Sequence, residues 1–188
     1  IQPVVLEDAF GEVHFYLVPF AEPSTVRVLF GDDSITTHEA AMAKIIEQIK
    51  RNLDETKRNI IVAHAFITKD GMPELNTSDS ERKLTIGGTE CINAALFEPF
   101  CYTALGHLHQ AHFVANETIQ YSGSPLKYSE SEVTHKKGFF IVDLAQDGTV
   151  TLEKKLLTPK REMRIVKGIL DDILQHEKSD DYVFVKLD

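Results

Sequence analysis

The chain lacks tryptophan, has only two cysteines among its 188 residues, and contains no apolar run near the roughly 18 residues that a membrane span requires. The two thiols, Cys91 in "TECINAALF" and Cys101 in "EPFCYTAL", sit in apolar settings. That pattern reads as buried, reduced thiols in a cytoplasmic protein, not as a disulfide framework. The opening "IQPVVLEDAFGEV" has no basic-then-apolar leader. Its first residue is Ile1 and a strand-like segment begins at once, which reads as a chain that starts inside a domain. Basic residues are also scarce: 20 Lys and Arg against 29 Asp and Glu give a formal charge of −9. Such a balance excludes a nucleic-acid binder held by a broad basic face, so any DNA contact must be local or shared.

What is present is a 43% hydrophobic composition, enough to bury a core for one domain, or for one domain and a fragment of another. "PVVLEDAFGEVHFYLVPF" reads as two strands around a turn, and "TVRVLFGDD" as another strand. In "ITTHEAAMAKIIEQIKRNL", Thr36 and Glu39 stand at capping-box spacing, followed by Met42, Ile45, Ile46, Ile49 and Leu53 on one helical face. "RNIIVAHAF" and "CYTAL" are short continuous apolar runs, the pattern of strands covered on both sides. The polar segment 67–89 between them reads as loop, with "ECINAALFEPF" as a short helix. "TIQYSGSP" is a strand ending in a Gly/Pro turn, and Asp147-Gly148 marks a hairpin between "GFFIVDL" and "TVTLEKKLL". After a linker, "TPKREMR", residues 162–188 read strand, helix, strand.

Three histidines fall within "GHLHQAH", after the apolar run and a glycine. In an extended segment, residues i and i+2 leave the same face, so His107 and His109 are expected to project together and His112 elsewhere. His64 stands at the corresponding place after "IIVA". If the two strands are neighbours, all three imidazoles meet at the carboxyl edge of one sheet, where open α/β sheets bind ligands. Neutral imidazole suits manganese, iron and zinc. A single histidine at a strand end is more often a hydrogen-bonded structural residue; a His-x-His after a buried strand is the stronger metal pattern. A two-metal site also needs a bridging carboxylate to hold ions about 3.5–4 Å apart. "FGDDS", with Asp32 and Asp33, reads instead as a turn into a helix cap. The loop "SGSPLKYS" offers Ser122, Ser124 and Lys127 to a DNA phosphate, or is a plain Gly/Pro turn.

From about residue 55 to 170, the blocks "RNIIVAHAF", "SDSERKLTIGGT", "FCYTALGHLHQAH", "QYSGSPLKYSESEVTHKKGFFIVDL" and "LTPKREMRIVKG" together resemble the SbcD-type nucleases of the calcineurin-like metallophosphoesterase superfamily. The "GHLH" motif alone points only to the superfamily. The resemblance implies an α/β fold: part of a β-sandwich flanked by helices in α-β-β-α layers over residues 1–161, the carboxyl-side part of a nuclease domain. Residues 162–188 would begin a small α+β capping subdomain that guides the DNA end. It further implies a two-metal Mn2+ site in which His64 and His107 bind one ion and His109 the other. The partners implied are DNA, an SbcC-type ATPase subunit and a second nuclease subunit in a homodimer, acting in DNA repair, replication and recombination.

The same resemblance exposes a gap. Its early motifs, an Asp-x-His, a Gly-Asp-x-x-Asp and a Gly-Asn-His-Asp, belong upstream of these residues. "GDDSI" does not replace them, because Ile35 occupies the position of the second aspartate. The bridging aspartate, the asparagine ligand and the acid histidine are therefore missing, and no catalytic residue is assigned. Cys101 stands where an acidic residue is expected. The expected fragment is weakly active or inactive alone. The alternatives are a non-catalytic docking module that keeps the strands for packing, and another calcineurin-like phosphoesterase, which fits "GHLH" but not the downstream blocks.

Overall fold

The computed structural model describes residues 1–72 and 90–188. The "SDSER" and "GG" segments lie outside the described residues. The chain opens with an antiparallel hairpin of β1 (Val4–Asp8) and β2 (Gly11–Val18). Asp8 holds the turn by accepting the Phe10 N–H at 2.8 Å, and both its oxygens accept from Arg58, at 2.8 and 2.6 Å. Arg58 also donates to the Gly11 carbonyl at 2.8 Å. A two-pronged guanidinium–carboxylate contact of this kind fixes orientation as well as charge, and here it pins the hairpin tip to the following strand.

The segment expected as a strand at "TVRVLF" is helix α1 (Pro23–Phe30). Strand propensity loses to boundary signals: Pro23 pre-sets the first turn, and Gly31 ends the helix in the left-handed region at φ 61°. The Asp32 N–H then reaches back to the Arg27 carbonyl at 3.1 Å, closing the C-terminus as a glycine cap does. Helix α2 (His38–Lys50) forms as expected, but its cap is Thr37, whose side chain accepts the Ala40 N–H. Glu39 does not complete a capping box; its carboxylate accepts the Asn93 N–H at 2.7 Å. The stripe of Met42, Ile45, Ile46 and Ile49 is buried.

Strand β3 (Arg58–His64) follows, then β4 (Ile67–Thr68), which pairs in parallel with β5 (Ile92–Asn93). The short helix expected from "ECINAALFEPF" is a single 3-10 turn at Ala94–Phe97, capped by Asn93. Strands β6 (Tyr102–Gly106), β7 (His112–Val114) and β8 (Asn116–Tyr121) complete a six-stranded sheet of order β1-β2-β3-β6-β8-β7. Its four inner strands run parallel, with antiparallel strands at both edges.

One face of this sheet packs on α1, α2 and the 3-10 turn through Tyr16, Val18, Ile46, Ile61, Phe97 and Leu105. The other face, through Val13, Ile60 and Tyr102, meets Val142, Leu144, Val150 and Leu152 of the hairpin β9 (Gly138–Leu144) and β10 (Val150–Leu156). The chain is thus α/β, with helices on one side of a largely parallel sheet and a hairpin on the other. A parallel unit of β11 (Met163–Gly168), α3 (Leu170–Leu174) and β12 (Tyr182–Leu187) ends it, matching the strand, helix, strand reading of 162–188. No helix among the described residues is long and apolar enough to cross a membrane; Cys91 is buried and Cys101 half-buried, and neither forms a disulfide among the described residues.

Candidate metal-binding edge

Strands β3 and β6 are parallel neighbours, and their register pairs His64 with Gly106. That pairing sets His107, one residue past the end of β6, beside His64. The two rings are 5.4 Å apart, centroid to centroid, and nearly perpendicular. A glycine before His107 makes the approach possible, because a Cβ on Gly106 would stand 2.9 Å from His64 Nδ1. His107 has φ 121°, a region that costs a non-glycine residue strain and persists only when the surroundings impose it. The buried Leu108 on one side and the Ala65 N–H bonded to the Gly106 carbonyl on the other impose it here.

Aromatic walls close around the pair. Phe20 stacks on His107 at 6.3 Å and meets His64 edge-on at 6.2 Å, while Phe66 lies 6.0 Å from His107. Burial in this setting, reinforced by the charges of His64, His109 and His38, pushes the His107 pKa down to about 4. The ring is therefore a neutral imidazole at neutral pH, the protonation state in which a lone pair is available to a metal. The consequence for stability has a definite sign. The unfolded ring takes up its proton near pH 6.5 and the folded ring only near 4, so the unfolded state binds more protons between those values. Metal-free protein is expected to keep its full stability above about pH 6.5, to lose part of it as pH falls toward 4, and a His107→Gln variant to lose less. Urea midpoints of the two proteins in chelator across that range measure the difference.

His109 is held differently. The chain leaves the extended conformation at Gly106, so the alternation that would send His107 and His109 out together does not apply between them. His109 Nδ1 lies 3.0 Å from Glu132 Oε1. Because an ionised carboxylate can only accept, Nδ1 donates to it, and in the neutral ring that leaves the lone pair on Nε2. This is the orienting contact that metal-ligating histidines receive. Glu132 is 0% exposed, and Lys137 compensates its charge: Nζ donates to Glu132 Oε2 at 2.6 Å, to Ser124 Oγ at 2.8 Å and to the His109 carbonyl at 2.9 Å. Tyr128 flanks the His109 ring at 5.4 Å.

Other sequence candidates sort as follows. Ser122 is exposed, Ser124 is buried between Lys137 and the Leu126 carbonyl, and Lys127 is ion-paired with Glu162 at 2.6 Å. Asp32 makes the expected turn, accepting from Ser34 and pairing with Lys44. His112 stacks on Tyr121 at 5.1 Å, away from the pair. Sequence reasoning missed Phe20, Glu132 and Lys137 altogether and did not single out His38, at the start of α2, whose ring packs on Phe20 at 5.4 Å. Only His38 had a signal, its residue type.

The donors fit part of a metal site. Two adjacent imidazoles, one with a depressed pKa, and a third imidazole with its tautomer fixed are the right chemistry. Yet no group of three or more His, Cys, Asp or Glu among the described residues stands together in a way that could hold an ion. The described residues supply a partial donor set, not a closed one.

Fold and edge together define an α/β protein whose parallel sheet carries a histidine pair at its carboxyl edge, where such sheets take ligands. No family model matches the chain. It is 39% identical over 163 residues, 87% of its length, to the SbcD subunit of the SbcCD nuclease from Staphylococcus epidermidis, and this likeness identifies it as an SbcD-type sequence. The chain spans 42% of the length of that relative.

Proposed function

We infer that the chain is the carboxyl-side part of a metal-dependent DNA nuclease of the SbcCD type, hydrolysing phosphodiesters with ligands from a preceding segment completing the site. The observation that carries this reading is the adjacency of His64 and His107 at the ends of two paired parallel strands, supported by the nuclease named in the comparison. In it, His64, His107 and His109 are metal ligands and Glu132 and Lys137 position His109. A divalent ion there, taken to be Mn2+, would stabilise charge developing on the phosphate. The protein's own share is to keep the His107 imidazole neutral, to exclude water with Phe20 and Phe66, and to orient the His109 ring through Glu132. With this reading go the α-β-β-α layering with residues 162–188 as the start of a capping subdomain, an SbcC-type ATPase partner, a homodimer, a role in DNA repair, replication and recombination, and a cytoplasmic location.

Calorimetric titration of the 188-residue chain with MnCl2 tests it. Binding that a His64→Ala or His107→Ala variant weakens at least about tenfold is expected, in line with the loss of a metal's supporting interactions. A second reading, a docking module with unused histidines, is favoured by the exposed apolar residues Val4, Val5, Leu6 and Phe10 of the first hairpin. Absence of Mn2+ binding by the parent chain selects that reading.

A further inference from the structure

Just past His64 the chain leaves one sheet for another. Ladder pairing with β6 ends at the Ala65 N–H, which donates to the Gly106 carbonyl at 3.3 Å, and β4 begins at Ile67. Between them, the Phe66 carbonyl accepts the Ile92 N–H at 2.9 Å. The groups on either side of it, the Ala65 carbonyl and the Ile67 N–H, are both taken up by one side chain. Tyr121 Oη donates to the Ala65 carbonyl at 2.7 Å and accepts the Ile67 N–H at 2.7 Å. The Ile67 carbonyl, at 3.5 Å, is the more distant acceptor for the hydroxyl's single proton. Tyr121 is 0% exposed, and Ala65 and Ile67 are buried with it. Water therefore cannot replace these bonds, and a backbone group stranded there would be costly.

Tyr121 is the last residue of β8, and β6 lies between β8 and β3 in the sheet. Its side chain spans the strand that leads to His107 and reaches the segment directly after His64. Phe66, whose two neighbours that hydroxyl holds, is the wall 6.0 Å from the His107 ring. On its other side Tyr121 runs into the turn at 122–124, which presses on His109. The Ser124 N–H donates to the His109 carbonyl at 3.2 Å, and a Cβ on Gly123 would stand 2.9 Å from that same oxygen. One residue thus joins the backbone behind His64 to the turn behind His109.

We propose that the Tyr121 hydroxyl is a positioning group for the histidine edge: by fixing residues 65–67 it sets where the His64 ring stands relative to His107 and His109. It touches neither an ion nor a phosphate and acts through the backbone that it holds. Donors must be placed to within about 0.5 Å for such a constellation to work, and a supporting contact of this kind supplies that precision. The link to chemistry rests on the metal-dependent phosphodiester reading of the edge; the link to ring geometry stands without it.

Tyr121→Phe tests it, because that variant loses one oxygen and keeps the ring that fills the core and stacks on His112. Removing buried hydrogen bonds lowers stability whatever their role, so the controls are Ile49→Val and Ile49→Ala, at a buried position of α2, which bracket a comparable loss. All are compared in the 188-residue chain under conditions where circular dichroism shows each one folded. In metal-free protein the nuclear Overhauser effect between the His64 and His107 rings, 5.4 Å apart, is the first readout. It is expected to change by about a factor of two or more in Tyr121→Phe, since it follows the inverse sixth power of distance and a displacement of roughly 0.6 Å suffices. The Ile49 variants should keep the parent value. The second readout is Mn2+ affinity by calorimetry, expected to fall at least about tenfold in Tyr121→Phe and to hold in the Ile49 variants. If the parent binds no Mn2+, the metal reading fails and the ring-to-ring comparison alone decides the positioning claim. An unchanged ring-to-ring effect in Tyr121→Phe, an equal change in the Ile49 variants, or Mn2+ affinity equal to that of a binding parent overturns the proposal.

Discussion

Replacing Glu132 by alanine is expected to lower the unfolding free energy by about 3–5 kcal/mol, the usual cost of removing one partner from a buried ion pair. Glu132 is fully buried and holds both Lys137 and the His109 ring. Without it, the Lys137 ammonium, also buried, is left with Ser124 Oγ, the His109 carbonyl and His135 Nδ1 at 3.5 Å, none of them a carboxylate. Urea denaturation of parent and variant measures the loss. A double variant, Glu132→Leu with Lys137→Met, should recover a large part of it, because two apolar groups leave no stranded charge. Recovery of stability without recovery of Mn2+ affinity would mark the pair as positioning His109, beyond filling space. Equal stability of Glu132→Ala and the parent would contradict the ion-pair network.

The second large effect is on chemistry. In a polypeptide long enough to cleave labelled DNA with Mn2+, His107→Ala is expected to reduce turnover at least about 100-fold, since ligand-sphere losses of this kind cost that much or more. His112→Ala, whose ring stacks on Tyr121 instead, should change turnover little. The 188-residue chain alone is expected to cleave weakly or not at all, and robust Mn2+-dependent cleavage by it would refute the incomplete donor set.

Much of this was legible in the sequence because the determinants are local. Continuous apolar runs marked β3 and β6, and a shared strand-to-histidine pattern placed His64 and His107 at one edge without any knowledge of the register. Asp147-Gly148 fixed the β9/β10 hairpin, and the 3.6-residue stripe fixed α2. Helix α1 was misread because threonine, valine and phenylalanine favour strands only when nothing bounds the segment; Pro23 and Gly31 were the signals that decide it. The alternation argument for His107 and His109 assumed an extended segment, whereas the chain turns at His107 with φ 121°, which no residue-type pattern announces. Glu132 and Lys137 were invisible because their role depends on a fold-level meeting of the 122–137 loop with the His109 segment. Their identity as a charged pair five residues apart in a polar stretch looks like any solvated loop.

The central claim is that His64 and His107 present their imidazoles to one divalent ion at the sheet edge. Ring 15N–1H correlation spectra of the 188-residue chain, recorded while substoichiometric Mn2+ is added, test it most directly. Selective paramagnetic broadening of the His64 and His107 rings, with His14 and His176 unaffected at the same metal ratio, is the result this account predicts. Uniform or absent broadening across the eight histidines, or broadening centred on another ring, would contradict it.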